Sequence, residues 1–207
     1  MLSFLVIFII GAALGSYVQT MTGFALGIVV TGVVALSGAV PIADTADALS
    51  IIGIINAAVV LPSMASHISW SSLTKIMLAL TPGMIVGVLL LSELSAHHST
   101  ALRLLAGVIV LLGGASLFIR PRPSEKAGGV FELSFFGILA GVMSGLFSLP
   151  GPPVVYYYYR QLLPLETVRA TLIAIFAVLS ILRLVFVQVH SGVGTDSIKM
   201  AFFSIPV

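Results

Sequence analysis

The sequence predicts an all-α polytopic membrane protein built from two inverted-topology repeats, with helices broken by Gly and Pro near the bilayer midplane. Three observations predict it. Of 207 residues, 59% are hydrophobic and only 8% are charged, against roughly a quarter charged in soluble domains, and the mean hydropathy is +1.21. Apolar stretches recur from end to end, many of them long enough to cross a hydrocarbon core of ~30 Å. Gly- and Pro-rich interruptions fall at corresponding places in the two halves.

The apolar segments lie at 3–20, 22–40, 45–63, 75–92, 101–119, 131–149, 151–163 and 167–188, with another starting near 198. Each is expected to be helical, because lipid offers no partner to an open backbone group. The first begins MLSFLVIFII with no basic residue ahead of it, so it reads as a membrane segment and not a cleaved leader. The seventh is short and rich in proline. The most basic loop, Arg120 to Lys126, is expected in the cytoplasm. Counting back puts the N-terminus and the loop with Asp44 and Asp47 outside; counting forward puts Arg160 and Arg169 inside and Asp196 outside. The localisation expected is the cell (inner) membrane.

Sliding the chain on itself by about 124 residues exposes the repeat. Lys75 and Pro82 overlay Lys199 and Pro206, and Gly27 of GFALG overlays Gly151 of FSLPG. Pro41 overlays Pro164 one residue off that register, and Gly11–Gly15 overlays Gly137–Gly141 two residues off. Each copy holds five segments, an odd number, so the copies sit in opposite orientations, a common construction in secondary transporters. The units are 1–119, a cytoplasmic linker at 120–130, and 131–207. The first copy runs about 37 residues past the position matching Val207, so the second copy is expected to be truncated relative to a protein of about 245 residues.

Paired interruptions of this kind point to a transporter's binding site. A helix that restarts inside the membrane aims free N–H groups and the positive end of its dipole at whatever lies there, which makes an anion site out of backbone. The candidates in the first half are Gln19, Thr20, Thr22, Gly23 and Gly27. In the second half they are Ser144, Gly145, Ser148, Gly151 and Pro152. Arg183, inside the eighth segment, suits an anionic substrate, or else it snorkels to the headgroups. The glycines have a second reading, since GAALG, GFALG and GILAGVMSG also fit small-xxx-small helix packing, within a protomer or between the protomers of a homodimer.

Tyr156 to Tyr159 read mainly as interfacial anchors, with one lining the pathway. Asn56 reads as an interhelical hydrogen bond or a pathway residue. Asp44 and Asp47 open a helix, where acidic residues cap amides; proton coupling is the alternative. No cofactor or metal is expected. His97 and His98 lie in an outer loop with no carboxylate near beyond Glu93, and there is no cysteine. The few basic residues sit in short loops, so the net charge of +2 does not point to nucleic acid. No aspartate reads as buried, and all four histidines lie in loops or at ends, which disfavours an intramembrane enzyme.

GVMSGLFSLPGPPVVYYY with the following LPLETVRATL, and VQTMTGFALGIVV with PIADTADAL, resemble the second- and first-half motifs of the TauE/SafE family of membrane transport proteins. The resemblance covers essentially the whole chain. It implies two repeated halves and export of sulfite or organosulfur anions, with the family's motif glycines falling on Gly23 and Gly27, and on Gly145 and Gly151 followed by Pro152 and Pro153. Two departures stand out: Ala25 where the family often has glycine, and Ser148-Leu149-Pro150 in place of a Gly-x-Gly run. The expected function is secondary transport of a small anion such as sulfite or an organosulfonate by alternating access. The competing reading is a non-transporting membrane scaffold or assembly protein.

Overall fold

The computed structural model describes residues 2–22, 24–37, 41–116 and 129–204. The described residues form α1 (Leu2–Thr22), α2 (Leu26–Ser37), α3 (Ile42–Met64), α4 (Trp70–His97), α5 (Ser99–Ser116), α6 (Val130–Phe147), α7 (Gly151–Tyr159), α8 (Leu165–His190) and α9 (Thr195–Ser204), with a short 3₁₀ turn at Ala65–His67. Gly23, the basic loop Arg120–Lys126 and Pro206 lie outside the described residues, as do the side chains of Thr22 and Asp196.

The apolar segments are therefore helices, all within a few residues of the expected limits. Among the described residues four are long and apolar enough to cross a membrane: α3 with its 3₁₀ turn, α4, α6 and α8. This is a multi-pass membrane protein. Side chains such as Leu104, Leu111, Phe131 and Val189, more than two-thirds exposed, would be costly in water and are at home against lipid. The segments at 22–40 and 151–163 do not appear as full crossings. The described α2 has 12 residues and α7 nine, ~18 Å and ~14 Å at 1.5 Å per residue.

Each short helix folds back on the helix before it. Gly15 of α1 sits against the backbone of Leu26, where an added Cβ would lie 3.0 Å from the Leu26 Cα. The two helical hairpins, α1–α2 and α6–α7, then meet tip to tip. At Gly27 a Cβ would come within 2.6 Å of the Leu149 side chain and 3.2 Å of the Ser148 carbonyl. Phe24, Ala25, Ile28, Leu146, Phe147 and Leu149 make one buried cluster there, closed by Leu91, Leu102 and Ala106 of α4 and α5.

The tightest helix pair is α4 with α6. A Cβ on Gly83 would strike the Ile138 carbonyl, one on Gly87 the Val142 carbonyl, and those on Gly141 and Gly145 the Leu80 and Met84 carbonyls. Only glycines permit that approach, so GILAGVMSG is a packing face. Its partner is GMIVG (Gly83 to Gly87) on α4.

Two side-chain expectations need correction. Tyr157 and Tyr158 are not interfacial anchors; they are 4% and 0% exposed, and the Tyr158 hydroxyl shares a 2.9 Å hydrogen bond with Ser72. Successive helical residues point ~100° apart, so a run of four tyrosines necessarily sends some into the core. Tyr156 and Arg160 do keep company, 5.5 Å from ring centroid to guanidinium, and Arg160 also pairs with Glu132 at 3.1 Å. Asp47 does not cap α3 either. No side chain caps that helix, and its N-cap is Pro41.

Candidate functional site

α2 begins at Leu26 and α7 at Gly151, and both starts open onto one cavity of about 30 Å³, room for a water or two. Gln19 from the end of α1, Leu26, Gly27 and Ile28 from α2, Ser148 and Gly151 from the other tip, Gly53 of α3, and Phe176 and Ser180 of α8 are among its walls. The four leading amides of a helix have no intrahelical partner. In α2 these belong to Ala25, Leu26, Gly27 and Ile28, since the first ladder bond is Val29 N–H to the Ala25 carbonyl, 3.1 Å. In α7 the corresponding residues are Pro150, Gly151, Pro152 and Pro153. Three of them are prolines, which lack N–H, so the Gly151 amide is the single donor this helix end presents.

Both tips are held in backbone conformations that L-residues rarely adopt. Among the described residues the non-glycines with positive φ are Ala25, at +110°, and Ser148, at +56°. Ala25 and the run opened by Ser148 are the two places marked in the sequence as departures from the motif it resembles. Ser148 is the left-handed C-cap of α6, its N–H donating to the Ser144 carbonyl at 2.8 Å. Such strain tends to gather at functional sites. Ala25→Gly is expected to stabilise the protein by about 1 kcal/mol, since glycine reaches positive φ without the Cβ clash; denaturant titration in detergent micelles would measure it.

Arg183 lies one helical turn beyond Ser180 and is 0% exposed. It does not snorkel. Its Nη1 donates to Asp47 Oδ1 at 2.7 Å and to Ser50 Oγ at 3.3 Å, and its Nε donates to the Gly145 carbonyl at 3.1 Å. Among the described residues its Nη2 has no hydrogen-bond partner. Ser50 Oγ in turn lies 2.9 Å from Ser148 Oγ. One polar chain thus runs from the buried ion pair to the tip of the second hairpin. Asp47, 6% exposed, overturns the expectation that no aspartate is buried.

Of the residues expected at the site, Gln19, Gly27, Ser148 and Gly151 line the cavity, and Gly145 and Arg183 join the adjoining polar chain. Ser144 is buried one turn earlier on α6 and is not among the lining residues. Thr20 is exposed, its hydroxyl turned back to the Ser16 carbonyl at 3.0 Å. Pro152 faces α5, its Cγ 3.2 Å from where a Gly113 Cβ would stand. Asn56 accepts a 3.5 Å bond from Gln19 Nε2, an interhelical contact beside the cavity.

Ser50, Gly53 and Ser180 were not among the candidates, and Asp47 was read only as a cap or, alternatively, for proton coupling. For Asp47, Ser50 and Gly53 a signal was present: Asp44, Asp47, Ser50 and Gly53 recur every third residue, so each neighbours the next on a polar row that winds around α3. Asp44 accepts a 3.0 Å bond from Ser197 of α9. Among the described residues no group of three or more His, Cys, Asp or Glu is placed to hold a metal ion.

The profile of the family described as "Sulfite exporter TauE/SafE" matches residues 7–206. The chain is 34% identical over 193 residues to the "Probable sulfite/organosulfonate exporter TauE" of Cupriavidus necator, covering 93% of this chain and 75% of that one. No solved structure matches.

Proposed function

The chain belongs to the sulfite exporter TauE/SafE family, a transporter family, and on that premise we propose that it moves a small anion such as sulfite or an organosulfonate by alternating access. The observation that carries this is the meeting of two strained hairpin tips over one cavity. Five leading amides point the positive ends of two helices toward that cavity. Gln19, Ser148 and Ser180 add side-chain donors, and Arg183 stands one turn away with an unused N–H pair. Sulfite and sulfonate each present three oxygens, which suits recognition by several separate donors.

The proposed architecture is a pair of inverted repeats. α2, α3 and α4 begin at 26, 42 and 70, and α7, α8 and α9 begin at 151, 165 and 195, an offset between 123 and 125 residues throughout. The hairpins α1–α2 and α6–α7 are then counterparts, and their tips meet at the cavity. The cavity of about 30 Å³ lies between the two tips. Access from either side follows when one hairpin tip moves from the other. The proposed location is the cell membrane, with the 120–126 loop in the cytoplasm and the N-terminus outside.

The test is flux in proteoliposomes, with labelled sulfite and methanesulfonate competed by sulfate and chloride. Saturable flux of one of the first two is expected. A Cβ at Gly151 meets nothing closer than the Phe24 ring at 3.7 Å, so Gly151→Leu is expected to insert and fold while its branched end fills the cavity, reducing flux at least tenfold. Gly107→Leu, where a Cβ meets nothing within 4 Å, is expected to transport normally. Equal flux in wild type and G151L would place the pathway elsewhere.

A further inference from the structure

The ion pair between α3 and α8 has a form that direct anion binding does not require. An arginine meant only to hold an anion has no need of a buried carboxylate already holding it. Asp47 occupies Arg183 at 2.7 Å while Nη2 stays unpaired in a fully buried guanidinium. An unsatisfied buried charged donor is unfavourable by more than the ~1–3 kcal/mol of a neutral one. The arrangement is therefore a poor permanent structural bond and a good interim one.

The charges that face Asp47 are few. Arg183 comes from α8 and Asp44 from one turn earlier on α3. α1 and α2 carry no acidic or basic residue, and Tyr17 of α1 is exposed. On α6 the acidic group is Glu132, spent on Arg160. On α9 Lys199 is exposed, and the Asp196 side chain lies outside the described residues. On α4 the ionisable groups are Lys75, Glu93 and His97, all in its outer turns and none facing the pair; His67 of the 3₁₀ turn pairs with Glu166. Asp47 and Arg183 thus form a local unit of zero net charge in an apolar surrounding.

We propose that the Asp47–Arg183 pair couples anion transport to protons: a proton taken up by Asp47 frees Arg183 to hold a monovalent sulfonate or hydrogen sulfite, and proton and anion cross together. This rests on the transport reading above. The balance is simple. Before binding, carboxylate and guanidinium sum to zero. Afterwards a neutral carboxylic acid stands beside a guanidinium–anion pair, and the sum is again zero, with one proton and one negative charge added. No covalent bond changes except the O–H formed on Asp47.

A buried site keeps its cost low only while its charges cancel, so the scheme selects monoanions and disfavours the dianion. The proton's route is the row along α3 that starts at Asp44, partly buried in the first turn, and continues to Asp47 and Ser50. Ser50 links Arg183 to Ser148 at the cavity wall, so release of Asp47 is felt where the anion sits.

The experiment uses purified protein in proteoliposomes with labelled methanesulfonate, which stays monovalent at any working pH. Exchange of labelled for unlabelled anion, at equal pH and no potential, moves no net proton and tests transport alone. Net accumulation is then measured under a one-unit pH gradient with the potential clamped at zero, and under an imposed potassium diffusion potential at equal pH.

The proposal expects exchange, about tenfold accumulation of anion in a lumen one pH unit more alkaline than the medium, because each anion crosses with a proton, and no accumulation driven by potential. Asp47→Asn is expected to reverse this dependence, so that potential drives uptake and the pH gradient does not; Asp47→Glu is expected to restore the pH drive. Exchange with accumulation that follows potential and ignores pH in the wild type would overturn the coupling and leave the transport reading standing. Absence of exchange would overturn the transport reading for sulfonates, and the coupling with it. The wild-type arms decide the matter even if D47N does not fold.

Discussion

Arg183→Met is expected to destabilise the protein by about 3–5 kcal/mol, the usual consequence of stranding one partner of a buried ion pair, and to abolish anion flux. The single variant leaves the Asp47 carboxylate at 6% exposure with its cation gone, and it also leaves the Gly145 carbonyl without the Nε donor. Combining it with Asp47→Leu is expected to recover most of the stability, because two apolar side chains of similar bulk replace the pair. Flux is expected to stay absent in the double variant. That split separates the two roles of the residue: stability returns with charge balance, whereas transport needs the guanidinium itself. Unfolding by denaturant in mixed micelles gives the first quantity and proteoliposome flux the second. A single variant as stable as wild type would mean that Asp47 is hydrated and the pair is not a dry one.

The second large effect is expected at the seam between α4 and α6. Gly141→Val places a branched side chain where the Leu80 carbonyl lies, and the atoms it meets are backbone, which cannot rotate aside. Overpacking a core ordinarily costs about 1–3 kcal/mol, and here relief requires moving a whole helix, so a loss of at least ~3 kcal/mol is expected. Gly145→Ala adds a second injury by driving the carbonyl that Arg183 uses away from its place. Gly114→Val, on an open face of α5, is the control and is expected to fold normally. Thermal unfolding in detergent, followed by size-exclusion profile, would show the difference. Equal behaviour of G141V and G114V would mean that α4 and α6 stand farther apart than described.

How much of this was legible in the sequence varied with the distance over which the signal acts. Helix existence was legible because each apolar run reports locally on its surroundings, and the breaks were legible because Gly and Pro act on their own backbone. α4 runs from Trp70 to His97 where 75–92 was expected, since its polar end turns stay helical beyond the hydrocarbon and hydropathy does not register them. The Arg183–Asp47 pair was not legible. Its members are 136 residues apart, and an aspartate near a helix start has the simpler local explanation of a cap.

Ala25 shows the opposite case. The sequence marked it as a departure from glycine, and only the backbone angle of +110° gave the departure a physical meaning. Thr20 was chosen for its chemistry, and a hydroxyl's aim, here back to Ser16, is set by rotamer and helix rotation, which composition does not encode.

The glycine seam also has a consequence in time. α4 belongs to the part of the chain made first, and the groove at Gly83 and Gly87 is filled by Ile138, Val142 and Gly145, which leave the ribosome some fifty residues later. Until then α4 carries a face cut for a neighbour that does not yet exist. Lipid chains fill such a notch poorly, and insertion of the early helices cannot by itself settle their packing. The packing of α4 is thus completed from the C-terminal side, when α6 arrives and locks into the notch.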